Sequence, residues 1–485
     1  MTTPAAEKVR RWSFTPRERT WLAVALFLVL AFGANVEQRT ALRRVPMTDL
    51  GVFATAAEAV RSGDNLYTVS DWHGWHYVYP PALAILFVPF SQAAPAAIVE
   101  KPGTPRTVAN TPWGYDLDRP HRFFGLHREN ARFFFIVAAW YFINIAMICL
   151  SAHALACALE GNSLKEPPHV DAAERRRWWI LRAIPLVVIA GSLGTDLSRG
   201  QTDILMLAAM SFGLYLTAIG QAFKAGLWLS GPAVVKLFPA LLLIYPLWRR
   251  QWRMAAGAGT GLVLMLVALP VLTMGPSRSA ALYKDWVQIL VKPALGKGSD
   301  KSLIHELTGM QSTDNQSLLA FIHNWRYHNQ IREQRPAIAA PAERFIVYAV
   351  GALLLAGLIC ALGSRRNDSP RDLLIIAGLL VGVALIINPV AHNYYYLLLL
   401  PLVVSLLHRA LENKNNRTIL TALAIFTLTD LAARLPRIGP LLRDDGLPLV
   451  SLLILLSLGV VVLLRRDCPD DKELIVIPVI AEYAK

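Results

Sequence analysis

Long apolar blocks recur along most of this chain of 485 residues. Each block runs to roughly 18–25 residues, the length that an α-helix needs to cross about 30 Å of hydrocarbon. In that solvent every backbone polar group must find a partner inside the protein, and a helix satisfies this within one segment. The composition agrees, since 54% of the residues are hydrophobic and 17% are charged, against about 45–50% and about 25% in soluble domains. The sequence therefore predicts an all-α polytopic membrane protein and excludes a cytosolic enzyme, a disordered chain and a secreted disulfide scaffold.

Positive charge follows the apolar blocks and predicts how the chain is oriented. The net charge is +14, yet the basic residues form short runs between the blocks, where membrane topology and anionic lipid explain them better than nucleic acid does. A run at 175–177 belongs on the cytoplasmic side by this rule. Another run precedes the first predicted span, at 20–36, and places the amino terminus inside; its members are Lys8, Arg10, Arg11, Arg17 and Arg19.

The apolar stretch at 80–98 is an exception, because it contains Pro80, Pro81, Pro89 and Pro95. Each proline disrupts helix hydrogen bonding in a solvent that offers no replacement. A full crossing here would also move the arginines that precede the span at 178–194 to the outer side. We therefore predict that this stretch lies at the outer surface of the membrane or inserts only partly.

The remaining spans follow from the same alternation of sides. Residues 223–248 must begin and end inside because an arginine-rich turn follows them, and Gly231 and Pro232 are predicted to fold this segment into a short helical hairpin. Further spans are predicted at 133–159, 178–194, 204–219, 255–274, 345–362, 373–387, 394–407, 420–433 and 449–464. The total is about twelve membrane segments in one domain, 1–465, with outer loops at 38–130 and 275–344 and a cytoplasmic tail at 466–485.

The run Gly257-Ala258-Gly259-Thr260-Gly261 superficially resembles a dinucleotide-binding loop. It lies within an apolar span and no strand precedes it, so close packing of helices explains it better. We find no convincing internal repeat, and the four cysteines show no C-x-x-C spacing that would indicate zinc or redox chemistry.

The predicted topology brings four polar clusters to the outer face. The first contains Thr48 and Asp49, and either side chain could simply cap the amphipathic helix that follows. The second is the stretch 196–203, predicted as a polar loop between two spans, with Asp203 at a helix start.

Lys236 is the third cluster and has apolar residues on both sides. A lysine at the bilayer centre costs about 2.5–3.5 kcal/mol, so it needs a compensating partner. Snorkelling is the simpler alternative, but the predicted hairpin tip is far from the inner interface. We therefore expect the partner to be an anionic ligand or a carboxylate such as Asp203.

The fourth cluster is the predicted outer turn at 388–396, which contains His392 and three tyrosines. The tyrosines are typical of an aromatic belt at the membrane interface, whereas a histidine can hydrogen-bond a phosphate or exchange a proton near neutral pH. Elsewhere, Asp71, His73 and His76 could form a metal site. The tryptophans and tyrosines around them favour an interfacial anchor instead.

Several motifs in order identify a known family. They are Asp49 before a helix that leads to Arg61-Ser62-Gly63-Asp64-Asn65-Leu66-Tyr67, then Tyr77-Val78-Tyr79-Pro80-Pro81-Ala82-Leu83, Arg199-Gly200-Gln201-Thr202-Asp203, Lys236-Leu237-Phe238-Pro239 and Asn315-Gln316-Ser317-Leu318. In these motifs, which span 47–400, the chain resembles glycosyltransferase family 87, the polyprenol-phosphate-mannose-dependent mannosyltransferases of the GT-C superfold. Family members often carry a Ser-Pro-x-Ser-Trp-x-His-His type sequence where this chain has Asn388-Pro389 and then His392. A sugar other than mannose, such as arabinofuranose, therefore stays open.

The resemblance implies a GT-C type bundle of about twelve transmembrane helices with juxtamembrane helices and a large outer loop. It implies that Asp49 is the catalytic base, while Lys236, Arg199 and His392 bind the phosphate of the donor. The residues implied for the sugars and the acceptor are Tyr67, Tyr79, Gln201, Asp203, Asn315, Gln316 and Tyr394. The expected partners are a polyprenyl-phosphate sugar, a glycolipid or glycan acceptor and membrane lipids, without nucleic acid, cofactor or obligatory metal. The expected location is the bacterial cytoplasmic membrane, with the active site on its outer face.

Three other functions remain open at this point. A secondary transporter would also use broken helices and a buried lysine, although it typically shows repeated halves. A lipid-linked oligosaccharide ligase or polymerase would share the outer-face site but transfer a pyrophosphate-linked glycan. A binding or scaffold role without catalysis is a further alternative.

Overall fold

The computed structural model describes residues 14–42, 48–71, 74–92, 131–165, 171–294, 297, 303, 307, 309–310, 312–331, 334–363, 368–412 and 416–465. Regular structure within these ranges is helical, apart from isolated bridges between Ser70 and His76 and between Asn315 and His392. Several predictions fall outside the described residues: the basic run at 8–11, His73, residues 93–130 of the first outer loop and the tail at 466–485.

The α-helices are numbered here in chain order. They are α1 Pro16–Arg39, α2 Leu50–Ser62, α3 Pro81–Leu86, α4 Ala131–Glu160, α5 Ala172–Val188, α6 Ala190–Arg199, α7 Asp203–Ala218, α8 Ala222–Val235, α9 Ile244–Trp248, α10 Trp252–Val263, α11 Leu269–Met274, α12 Pro276–Asp285, α13 Lys292–Ala294, α14 Leu318–Arg326, α15 Pro341–Leu362, α16 Pro370–Ile387, α17 Leu400–Glu412, α18 Arg417–Ala432, α19 Gly439–Asp444 and α20 Leu447–Leu464. Shorter 3-10 helices are Val88–Phe90, Phe238–Leu243 and Asn393–Leu399, and π-helical turns are Leu264–Ala268 and Trp286–Val291.

Seven helices in the described ranges are long and apolar enough to cross a membrane, or eight if α5 and α6, which are bent by 65° at their junction, form one span. This confirms a polytopic membrane protein. The count is below the predicted twelve partly because the predicted spans at 204–219 and 420–433 form α7 and α18, each of 16 residues. At 1.5 Å per residue such a helix measures about 24 Å, which is less than the hydrocarbon thickness. The twelve-span GT-C arrangement stays a prediction.

The segment after α7 folds back, but not at the predicted glycine and proline. α8 continues through Pro232 to Val235, and the break comes at Lys236, whose backbone is extended. The prediction of a turn at 231–232 is therefore wrong. Contacts on both sides of α8 explain this, because Gly213 of α7 lies against Leu229 of α8 while α10 packs on the other side, and such packing overrides the local helix-breaking tendency.

Small residues let α8 and α10 approach closely. A Cβ added at Gly257 would lie 2.1 Å from the carbonyl oxygen of Phe223, and one at Gly261 would lie 2.2 Å from the hydroxyl of Ser230. The contact farther along α8 is also the one farther along α10, so the two helices run parallel. The residues between them must therefore cross back to the side on which α8 begins. The interpretation of this glycine run as helix packing is confirmed.

The polar stretch at 196–203 was predicted as a loop, but only residues 200–202 are non-helical. α6 extends to Arg199, Gly200 ends it with a φ of 64°, and α7 begins at Asp203. Asp196 is buried rather than solvated. The helix forms because its other face packs on α18 and on the 3-10 helix Asn393–Leu399, which hydropathy along the chain does not reveal.

Candidate active site

Asp49 lies where the start of α2 meets the end of α6. Its backbone N–H donates to the carbonyl oxygen of Arg199 at 2.8 Å, and the hydroxyl of Thr48 donates to the same oxygen at 2.8 Å. Thr48 also accepts the N–H of Leu50 at 3.2 Å, so it holds the first turn of the helix. The carboxylate of Asp49 makes no capping bond and instead accepts a hydrogen bond from the side-chain amide of Gln201. The capping interpretation therefore fits Thr48 but not Asp49.

Gly200 permits this close approach. A Cβ at this position would lie 2.9 Å from both the Cβ of Leu50 and the hydroxyl of Thr48, in a left-handed backbone with a φ of 64°. No other residue type enters that conformation without a steric cost. The glycine thus keeps Asp49 against Arg199.

Replacing Gly200 by alanine should lower both stability and activity. For alanine, the left-handed backbone alone costs about 1–2 kcal/mol of stability. The added Cβ also clashes with Thr48 and therefore displaces the turn that carries Asp49. Gly63→Ala is the matched control, because Gly63 ends α2 with a φ of 93° and an added Cβ there meets nothing within 4 Å. We expect Gly63→Ala to shift the melting temperature while keeping turnover, and Gly200→Ala to reduce both. Equal turnover in the two variants would contradict the positioning role of Gly200.

Lys236 has the partner that the sequence predicted. Its ammonium lies 3.0 and 2.8 Å from the two carboxylate oxygens of Asp203. The side chains are 4% and 0% exposed respectively. The ammonium also lies 4.2 Å from the ring centroid of Tyr395 and within 6 Å of the rings of Tyr79 and Tyr394. The aromatic faces stabilise the positive charge that burial penalises.

A second group of charged side chains, Arg199, Asp314 and Arg443, lies beside the pair of Lys236 and Asp203. Arg199 donates to Asp314 at 2.8 Å and its guanidinium carbon is 5.5 Å from the centroid of Tyr394. Arg443 approaches the other oxygen of Asp314 at 3.4 Å. Burial alone would raise the pKa of Asp314, but the positive charges of Arg199 and Arg443 outweigh it and hold that pKa below its ordinary value. Asp314 is therefore ionised at neutral pH.

Asn315 and Gln316 hold the segment that precedes His392. The side-chain oxygen of Asn315 accepts the N–H of Ala391 at 3.0 Å, and its amide donates to the carbonyl of Pro389 at 3.0 Å. The backbone N–H of Gln316 donates to the carbonyl of Ala391 at 2.7 Å. The amide of the Gln316 side chain donates to the carbonyls of Thr313 and Arg443. Both residues thus position the turn at 388–396.

The three tyrosines of the turn at 388–396 are buried in the protein, so the prediction of a tyrosine belt at the interface is wrong. Tyr395 stacks on Phe238 with centroids 5.2 Å apart, and Tyr394 stacks on His392 at 5.1 Å. Burial, helped by the nearby charge of Arg199, lowers the pKa of His392 to about 3. The imidazole is therefore neutral at physiological pH, and it can donate one hydrogen bond but does not act as a cation.

The predicted tyrosines at the sugar site differ in their contacts. Tyr79 faces Lys236, as described, and packs on Phe53 with centroids 5.6 Å apart. Tyr67 is buried, and its hydroxyl donates to the backbone carbonyl of Tyr79 at 3.0 Å. Tyr67 therefore reaches the cluster through Tyr79.

Asp314 and Arg443 are the cluster members that sequence reasoning missed. Asp314 directly precedes the Asn315-Gln316 motif, so its position was a usable signal. Arg443 lies in α19, beyond the motifs that carried the resemblance, and no local pattern distinguishes it from a surface arginine.

The proposed metal constellation cannot be assembled from the described residues. The carboxylate of Asp71 accepts the N–H of Trp75 at 2.9 Å, and His73 lies outside the described ranges. Among the residues that the structure describes, no group of three histidine, cysteine, aspartate or glutamate side chains could hold a metal ion.

Comparison with protein families gives one match. The model described as Glycosyltransferase family 87 matches residues 124–389, which is more than half of the chain. Comparisons with curated proteins and with solved structures give no significant match.

Proposed function

Because this chain belongs to glycosyltransferase family 87 and is a membrane glycosyltransferase, we propose that it moves one sugar from a polyprenyl-phosphate donor to a glycolipid or glycan acceptor. Mannose is the first candidate for that sugar. The reaction takes place at the non-cytoplasmic face of the membrane, where a lipid-linked donor needs no nucleotide.

One observation supports this proposal most directly: a carboxylate and several positive charges meet at one end of the helices. Asp49 is bonded through its backbone to Arg199 and through its side chain to Gln201. Lys236 lies near Tyr79 and Tyr394, and Tyr394 also faces Arg199. A base and a site for an anionic leaving group are thus within one cluster, which glycosyl transfer from a phosphate requires.

In the proposed step Asp49 is the base. Its carboxylate takes the proton of the acceptor hydroxyl as the oxygen attacks the anomeric carbon. The bond from that carbon to the phosphate oxygen breaks, and its electron pair leaves with the polyprenyl phosphate. A single displacement inverts the anomeric configuration. Gln201 donates to Asp49 and fixes the direction of the carboxylate.

The leaving phosphate gains negative charge, and fixed positive groups stabilise that change. Arg199, with a side chain 27% exposed, is the most accessible cation of the cluster, whereas Lys236 is 4% exposed. An ammonium has three donors, and those of Lys236 serve Asp203 and Tyr395, so Lys236 acts on the phosphate through its positive charge. The neutral ring of His392 stacks on Tyr394 beside these groups.

Aromatic and amide side chains complete the proposed site. Tyr79 and Tyr394 present rings around Lys236 on which a sugar can stack. Tyr67 supports Tyr79, Asp203 holds Lys236, and Asn315 and Gln316 hold the outer turn. These last four residues thus act on the sugars through their neighbours.

The direct test is transfer by the full chain reconstituted in liposomes. Polyprenyl-phosphate mannose and polyprenyl-phosphate arabinofuranose are supplied separately with a glycolipid acceptor, and the product is analysed by mass spectrometry and for its anomeric configuration. We expect addition of one sugar with inversion. Transfer only from a pyrophosphate-linked glycan would support the ligase alternative, and movement of substrate without any new bond would support a transporter.

The side of the membrane is tested by labelling engineered cysteines with an impermeant reagent. We expect positions 49 and 198, which are both partly exposed, to react from the non-cytoplasmic side. Labelling of the two positions from opposite sides would contradict the proposed site.

A further inference from the structure

Asp314 lies between two arginines that come from distant parts of the chain. Arg199 ends α6 and donates to one carboxylate oxygen at 2.8 Å, while Arg443 in α19 approaches the other at 3.4 Å. Asp314 itself lies in the segment before α14. Its side chain is 25% exposed, so the carboxylate is not sealed from a ligand.

The two arginines keep unused hydrogen-bond donors. A guanidinium carries five N–H groups, and within the described part of the chain Arg199 donates one hydrogen bond, to Asp314. Arg443 donates to the carbonyl of Ala433 at 2.8 Å and to the hydroxyl of Thr313 at 3.3 Å. Its Nε–H is buried and has no hydrogen-bond partner despite its closeness to Asp314. The carboxylate of Asp314 thus accepts hydrogen bonds from only some of the N–H groups of the two arginines.

The charge around the group favours a second anion. Two guanidinium groups, those of Arg199 and Arg443, face the single carboxylate of Asp314, and neutral His392 adds no opposing charge. Arginine pairs match phosphate oxygens as well as they match carboxylate oxygens, since both anions accept parallel N–H bonds.

We propose that Arg199 and Arg443 form the two sides of a phosphate site, and that Asp314 is an internal anion which the phosphate displaces. Arg443 becomes a phosphate-binding residue, and Asp314 lowers phosphate affinity by competing for the same donors. Before transfer this phosphate is a phosphodiester that joins a lipid to a sugar and carries one negative charge. The assignment of that ester to the donor rests on the proposed function; the displacement itself does not.

The phosphate has two possible sources, the polyprenyl-phosphate donor and the headgroup of a phosphate-containing glycolipid acceptor. Each source is distinguished by titrating one substrate at a fixed, saturating level of the other. The arm in which the Michaelis constant changes identifies the substrate that carries the phosphate into the site.

The test uses full-length Asp314→Asn and Arg443→Gln variants, with Asp445→Asn and Arg437→Gln as controls. The control residues are exposed and lie in the same part of the chain, so each control makes the same change of charge away from the cluster. Binding of a short-chain polyprenyl phosphate without sugar is measured on the purified protein, alongside the two substrate titrations. Arg443→Lys, which keeps the charge, is a second variant in case the glutamine variant does not fold.

We expect Asp314→Asn to bind polyprenyl phosphate about threefold to tenfold more tightly, because the competing anion is gone. Arg443→Gln should bind it about tenfold more weakly, Arg443→Lys should fall between, and both controls should match the unmodified protein. Unchanged or weaker binding by Asp314→Asn, together with unchanged Michaelis constants for both substrates, would overturn the displacement and make Asp314 a residue that only positions Arg199. If the binding changes appear as expected but no sugar is transferred from any polyprenyl phosphate, the phosphate site stands and the proposed function fails.

Discussion

The Asp49→Asn variant is expected to lose sugar transfer, with a turnover number about 10²–10⁴-fold below that of the unmodified protein, which is the usual range for a general base. Asparagine cannot take the acceptor proton. The fold should survive, because the Asp49 carboxylate does not cap α2 and its backbone bond to Arg199 is unaffected by the change. Turnover is measured at saturating donor and acceptor, and folding is measured by gel filtration and thermal unfolding.

The matched control for this variant is Asp64→Asn. Asp64 lies just after the other end of α2, is exposed and accepts a hydrogen bond from the hydroxyl of Ser62 at 2.6 Å. We expect this change to leave turnover within about twofold. Full activity of Asp49→Asn with a lipid-linked sugar would reject Asp49 as the base, whereas its failure to fold would show that the residue has a structural role.

The Lys236→Met variant is expected to lose about 3–5 kcal/mol of stability, the usual cost of removing one partner from a buried ion pair. Asp203 is fully buried and would keep a negative charge without the ammonium that now lies 2.8 Å away. Thermal unfolding in detergent measures the loss. Donor use should also fall, because the positive charge of the ammonium is removed from the phosphate site.

A second substitution separates these two effects. In the double variant Lys236→Met with Asp203→Asn both members of the ion pair are made neutral, so most of the lost stability should return. The Michaelis constant for the donor should nevertheless stay about tenfold higher. Recovery of normal donor kinetics together with stability would show that Lys236 stabilises the fold and does not bind phosphate.

The sequence was most informative about residues whose transfer into a membrane costs much free energy. Lys236 lies in an apolar segment and needs a partner wherever that segment folds, so Asp203 could be predicted as its partner before the structure was seen. Likewise the glycines at 257–261 indicated helix contact, because small residues allow close approach in any bundle. Each of these predictions depends on one residue and its immediate neighbours.

Other features depended on which segments meet. Asp314 and Arg443 are 129 positions apart in the sequence, and their ion pair exists only because the segment before α14 packs beside α19. The tyrosines at 394–396 were expected at the interface, but they are buried by distant segments: Phe238 and Lys236 lie against Tyr395, and Phe426 lies against Tyr396. The helical form of residues 196–199 has the same origin in tertiary packing.

The amino-acid sequence alone determined that this protein lies in a membrane and is helical, because hydrophobic length and the cost of unpaired backbone groups act within single segments. It also carried the family resemblance, in short motifs that can be read along the chain. The tertiary structure decided which charges share a site, since pairing between distant residues depends on how the helices pack. The cluster of Arg199, Asp314 and Arg443 therefore appears only in the folded chain.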